Sequence, residues 1–236
     1  MGILIALCII TLWFIHLIFV LLYQPVSWAD PWLWLHILMQ TWLYTGLFIT
    51  AHDAMHGTVS NNKKLNYATG FIATWLFAGM YYPQLLSKHQ LHHLFPASES
   101  DPDYKTGNQN FFAWWLSFLK QYITLWQILY MALLFNILLI WFTEIQLILF
   151  WVIPSIAATF QLFYFGTFIP HKLPHTSDML PHNSRTQKAN HFVALISCYF
   201  FGYHYEHHYS PQTPWWKLYK LKDASLNGTK LKSEKK

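Results

Sequence analysis

The stretch YATGFIATWLFAGMYYPQLL, Tyr67 to Leu86, decides the fold. It is apolar and nearly long enough to cross a bilayer, which takes about 20 helical residues. It also holds Gly70, Gly79 and Pro83, and it separates two histidine boxes, HDAMH at His52 to His56 and HQLHH at His89 to His93. A crossing would place those boxes on opposite sides of the membrane, where they could share no metal ion. The segment is therefore predicted to lie in the membrane plane or to re-enter on the side it left, at the interface or against protein.

Working outward, four stretches are predicted to span: Met1 to Tyr23, Trp32 to Ala51, Gln121 to Phe142, and Ile145 to Ile169. Met1 to Tyr23 carries no charge, lacks the basic start of a signal peptide, and is expected to stay in the mature protein. Only Thr143 and Glu144 separate the last two, so they should pair antiparallel. Phe111 to Leu119 and Phe192 to Phe201 are too short to cross and are placed near the interface.

Composition agrees with this layout. Charged residues are 11% of the 236 and the AVILMFWYC set is 54%, whereas a soluble chain carries roughly a quarter of its residues charged. Lipid is the simplest cover for such a surface. The formal charge of +5 marks no groove-sized basic patch, so a nucleic-acid partner is not expected. Under the four-span layout, the outer loops Gln24 to Pro31 and Thr143 to Glu144 hold no Lys or Arg. All fifteen basic residues then fall on the other side, which the positive-inside rule makes cytosolic, with both termini. Cys8 and Cys198 sit in apolar stretches and form no metal-binding pair. One membrane-embedded domain, residues 1–220, is expected, followed by a Lys-rich polar tail, 221–236.

The histidines carry the chemistry. A third box, HYEHH, runs from His204 to His208. On a helix, positions i, i+3 and i+4 share a face, so each box aims two or three imidazoles one way. Neutral imidazole binds iron, zinc, copper and nickel. Eight box histidines, His52, His56, His89, His92, His93, His204, His207 and His208, exceed the roughly four to six ligands of one ion, so two ions are expected. Separate interfacial histidines are the plain alternative, but three boxes on one side disfavour it. The first box has the spacing of zinc proteases, yet Asp53 stands where those enzymes need Glu. Asp53, Asp101, Asp103 and Glu206 lie in or beside the boxes, and some are expected to accept the second N–H of a metal-bound imidazole. For Asp101 and Asp103, turn chemistry around Pro102 is an equal alternative. Trp42, Tyr44, Phe48, Phe160, Phe163, Tyr164 and Phe168 are candidates for a substrate slot, although packing is the commoner role of any one of them. No flavin, dinucleotide or haem fingerprint is present.

The strings HDAMHG (52–57), KHQLHH with DPDY (88–104), FGTFIPHK (165–172) and FGYHYEHH with SPQTPWWKL (201–218) resemble the membrane di-iron desaturase and hydroxylase superfamily. Within it they are similar to the β-carotene ketolases, over residues 30–220. The resemblance implies an all-α integral membrane fold of four transmembrane helices, with in-plane or re-entrant helices and a cytosolic-side di-metal site. It implies two iron ions, O₂ as co-substrate, and electrons from a separate donor, a ferredoxin. The implied reaction oxidises the C4 methylene of a β-ionone ring to a ketone, β-carotene giving echinenone and canthaxanthin. Superfamily members use about nine histidines, and His171 in FGTFIPHK is the best match for the ninth, with His182 next. The alternatives are a carotenoid hydroxylase or fatty-acyl desaturase of the same superfamily and, from another class, a membrane metal-binding or transport protein.

Overall fold

The structure, a computed structural model, describes residues 1–226; most of the expected 221–236 tail lies outside them. Among the described residues the regular elements are all helical. Helix α1 (Gly2–Tyr23) buries Ala6, Ile9, Trp13, Leu17 and Val20, a stripe at helical spacing, and exposes apolar side chains elsewhere. Helix α2 (Pro31–Met55) opens with Pro31 at its first position and the Asp30 carboxylate accepting from Trp32 N–H at 3.0 Å. At 1.5 Å per residue it is about 37 Å long, and it packs against α1, the helix that follows it, the long helix Glu144–His171 and the helix His191–Cys198.

The decisive stretch folds as a helical pair. Helix α3 (Lys63–Ala78) starts on the Asn62 cap and stops at Gly79, whose φ of 64° is a left-handed helix end open to glycine. Helix α4 (Tyr82–Leu94) turns back, with Tyr82 seated against Gly70 and 5.2 Å from the Tyr67 ring. The boxes before and after the pair end in one cluster, as expected of a segment that returns to its own side.

Among the described residues two helices are long and apolar enough to cross a membrane, α1 and Glu144–His171. Helix α2 is also long enough, but His36 and Gln40 dilute its apolar run. Inside the fold these join His16: its Nδ1 meets Gln40 Oε1 at 2.5 Å and its Nε2 meets His36 Nδ1 at 3.1 Å. The third expected span differs. Gln121 and Tyr122 close helix α5 (Phe111–Tyr122), and α6 (Leu125–Leu138) leaves it at 90°. Thr124 caps α6 by accepting from Gln127 N–H, which breaks the run of helix that hydropathy alone suggests.

The last long helix, α7 (Glu144–His171), contains two π-helical turns, Ile148–Val152 and Tyr164–Phe168. Each lies just ahead of a proline, Pro154 or Pro170. A proline lacks an N–H and its ring presses on the carbonyl four residues back, and a wider turn relieves both. Ile153 and Ile169 accordingly donate to carbonyls five residues back, Ile148 and Tyr164. The short helices α8 (His191–Cys198), α9 (His204–Tyr209) and α10 (Leu218–Leu226) close the cluster side. Residues 221–226 are therefore the end of a packed helix, and Lys222 is buried with its Nζ donating to Gln187 O and Ala189 O.

Candidate metal centre

The box histidines stand where helices end. His52 and His56 lie at the C-terminus of α2, the second box on the last two turns of α4, and the third on α9. His171 is the last residue of α7. Their donor atoms form two groups, each within 4.8 Å: His52, His56, His89, His93 and His207 in one, and His92, His171, His204 and His208 in the other. The partition follows helical geometry. From residue i, position i+4 lies about 40° to one side and i+3 about 60° to the other. On α4 the i, i+4 pair His89 and His93 therefore enters the first group and His92 the second. On α9 the pair His204 and His208 enters the second and His207 the first. The groups adjoin, with the His93 and His208 rings 4.4 Å apart.

The residues fit metal ions on chemical grounds. His56 and His89 bring Nε2 atoms to 2.7 Å, His93 and His207 to 2.9 Å, and His208 to 3.1 Å from His92 and 3.0 Å from His204. Two ligand nitrogens 2.0–2.1 Å from one ion stand at most about 4.2 Å apart, so small adjustments suffice. Buried Nε2 of His52 and His171 has no hydrogen-bond partner among the described residues. Burial, with added repulsion from neighbouring imidazoles, pushes His89, His204, His207 and His208 well below the ordinary histidine value and His56 to about 4. The rings are thus neutral, with lone pairs free for metal.

The carboxylates take different jobs. Asp101 accepts from His92 Nδ1 at 2.9 and 3.0 Å and from Ala97 and Asp103 N–H. Burial opposes the charged His92, but Asp101 and Asp103 outweigh it and raise its pKa. Asp103 is 3.9 Å from that ring; its Oδ1 accepts from Tyr122 OH and its carbonyl from Trp114 Nε1 at 2.8 Å, tying α5 to the site. Asp53 takes no imidazole: it faces Trp215 N–H at 3.3 Å from each oxygen and so fastens the C-terminal segment under the first box. Glu206 is buried and, among the described residues, bonds to none of the box histidines. His171 donates Nδ1–H to Asn183 O at 2.9 Å, which leaves Nε2 for the group; a backbone acceptor has no signature in sequence. His182 stacks 5.7 Å from His208 but belongs to neither group, and His175 and His191 also stand apart.

A cavity of about 350 Å³ runs from these rings between α3, the α5–α6 bend and α7. His52, His89, His92 and His204 close its inner end, and Phe77, Trp115, Phe118 and Leu162 are among its apolar walls. Gly166 also lines it; a Cβ there would meet Phe201 Cε1 at 2.0 Å, and Phe201 lies over His52 with ring centroids 4.9 Å apart. Of the seven aromatics expected in a slot, Phe48 alone is among its lining residues. Trp42 instead stacks on Tyr199 at 4.3 Å, Phe160 on Trp115 at 4.0 Å, and Tyr44 is fully buried.

Comparison with known proteins agrees with this geometry. The Fatty acid desaturase family model matches residues 26–130 and 120–229. The chain is 38% identical to a Beta-carotene ketolase of Paracoccus sp. (strain PC1), over 75% of this chain and 74% of that protein. It is 37% identical to a Zeaxanthin 4-ketolase of Chlamydomonas reinhardtii, over 95% of this chain but 54% of that longer protein. It is 36% identical to a Beta-carotene 4-ketolase 3 of Haematococcus lacustris, over 92% of this chain and 77% of that protein. No solved structure matches. The chain belongs to the fatty acid desaturase family, and within it to the β-carotene ketolases.

Proposed function

We propose that this chain is a carotenoid 4-ketolase, an O₂-dependent di-iron oxygenase that converts the C4 methylene of a β-ionone ring to a ketone. The observation that carries the reading is the apolar cavity ending on two adjoining groups of buried and half-buried imidazoles. The nine ligands are His52, His56, His89, His93 and His207 for one ion and His92, His171, His204 and His208 for the other. When bound, the two irons supply the oxidising power that no acid–base side chain can bring to an allylic C–H bond. The protein's own work is placement. Phe77, Trp115 and Phe118 hold a ring with no polar handle, Phe201 confines it beside His52, and the packed walls exclude water. Two hydroxylations at the same carbon, each taking one O₂, two electrons and two protons, give a gem-diol that loses water to the ketone.

In this reading the catalytic domain, expected over residues 1–220, runs on through the packed helix α10, and the Lys-rich remainder of 221–236 is its appendage. The chain crosses the membrane four times, α2 and the α5–α6 pair included, with the metal centre and both termini cytosolic. A polyene of about the bilayer's thickness reaches the cavity from lipid, and a ferredoxin delivers electrons to the Lys-rich face. Expression in cells that accumulate β-carotene tests it. Echinenone and canthaxanthin are expected on chromatography. Zeaxanthin alone, or altered acyl chains with unchanged carotenoids, would assign the chain to hydroxylation or desaturation instead.

A further inference from the structure

Helix α7 ends at the ninth histidine under difficult conditions. Its last turns are widened ahead of Pro170, and a helix end leaves carbonyls without intrahelical partners. The Arg185 side chain takes one of them and two carbonyls of the segment just beyond. Arg185 Nη1 donates to Lys172 O at 2.6 Å and to Ile169 O at 3.3 Å, and Nη2 donates to Pro174 O. Its backbone N–H adds Pro170 O at 3.0 Å. His171 O stands 2.9 Å from His175 Nε2. Two residues upstream, Asn183 O accepts from His171 Nδ1, and Asn183 Nδ2 reaches Pro96 O beyond α4 at 3.4 Å. Asn183 has φ of 46°, in the left-handed region that Asn tolerates, which turns its carbonyl from the course of the chain. Residues 183–185 thus form a strap that holds His171 by its ring and by the carbonyls on either side of it.

We propose that Arg185 is a positioning residue for the metal centre: by fixing the carbonyls around His171 it holds that imidazole in the His92, His171, His204 and His208 group. Its chemistry suits the task. A guanidinium presents five donors in a rigid fork, so it can bridge carbonyls that diverge from a broken helix end, and its charge opposes the negative end of the α7 dipole. A lysine would keep the charge and lose the fork. Among the described residues Arg185 bonds to no ring in either group, so its effect passes through the backbone around His171. Among the described residues the strap makes no hydrogen bond to a ring of the first group.

The inference rests on the two-ion part of the proposed function and not on the identity of the substrate. Its test is iron per chain, measured by elemental analysis on detergent-purified protein, in the parent, Arg185→Ala, His171→Ala and the double variant. A parent with two irons and an Arg185→Ala protein with one, matched by His171→Ala and not lowered further in the double variant, is the expected result. Arg185→Lys should keep both ions but surrender one to chelator at roughly 10- to 100-fold lower concentration, the usual scale for a partner that orients a ligand. Because the lysine variant keeps the charge, it serves if the alanine protein is not monodisperse. Two irons with parental chelator resistance in Arg185→Lys, or losses from the two alanine changes that add, would overturn the positioning role. A parent that holds fewer than two irons would overturn the two-ion reading itself.

Discussion

The Asp101 carboxylate stands 2.9 and 3.0 Å from Nδ1 of His92, and both residues are buried. The pair fixes the tautomer of His92: Nδ1 keeps the proton and Nε2 faces His208 at 3.1 Å. An amide in place of the carboxylate keeps the shape and removes the charge. Asp101→Asn should weaken the more labile ion by about 10- to 100-fold, read by competition with a chelator. Unchanged affinity would mean that Asp101 serves the turn around Pro102 and not the metal.

His207 and His182 separate ligand from neighbour. His207 places its Nε2 within the five-histidine group, whereas His182 only stacks on His208. His207→Ala should abolish keto products and lower bound iron. His182→Ala should keep both irons. Equal iron loss in the two variants, by elemental analysis, would contradict the assignment.

The cavity can be blocked without touching a ligand. Ala78 lines it at the end of α3. Ala78→Trp should lower keto-carotenoid formation by at least about tenfold, a barrier change of roughly 1.4 kcal/mol, with iron content unchanged. Full activity in that variant would remove the cavity from the substrate path.

Acid should weaken the metal-free fold through the histidines. A buried imidazole whose pKa is lowered stays neutral in the folded chain and takes a proton when the chain unfolds. The unfolded state therefore binds more protons from about pH 6.5 downward, and His56 resists until about pH 4. Stability contributed by these rings is present above that window and lost as pH falls through it. The thermal midpoint of metal-stripped protein should drop between pH 6.5 and 4, and a flat profile would contradict the burial of neutral rings.

The box histidines were legible because their spacing is local: i, i+3 and i+4 on a helix point one way whatever the rest of the chain does. The return of Tyr67 to Leu86 was legible too, by the requirement that two boxes meet. The course of residues 121–142 was less legible because hydropathy measures lipid solubility and carries no direction; the 90° bend between Tyr122 and Leu125 leaves it unchanged. Asp53 was out of reach, since its partner Trp215 lies 162 positions away. The aromatic slot failed for a related reason. Trp42 and Tyr44 are apolar enough for either packing or a cavity wall, and only the neighbours Tyr199 and Trp13 decide. His171 entered through resemblance, while Asn183 and Arg185 act on backbone carbonyls and leave no trace in residue type.

The most direct test of the whole arrangement is X-ray absorption at the iron edge on protein purified with its metal, combined with the metal-to-chain ratio. Two irons per chain with a first shell dominated by imidazole nitrogen is the expected result. A single ion, zinc in place of iron, or a shell mainly of oxygen would contradict the claim that nine histidines from four helices converge to hold two irons.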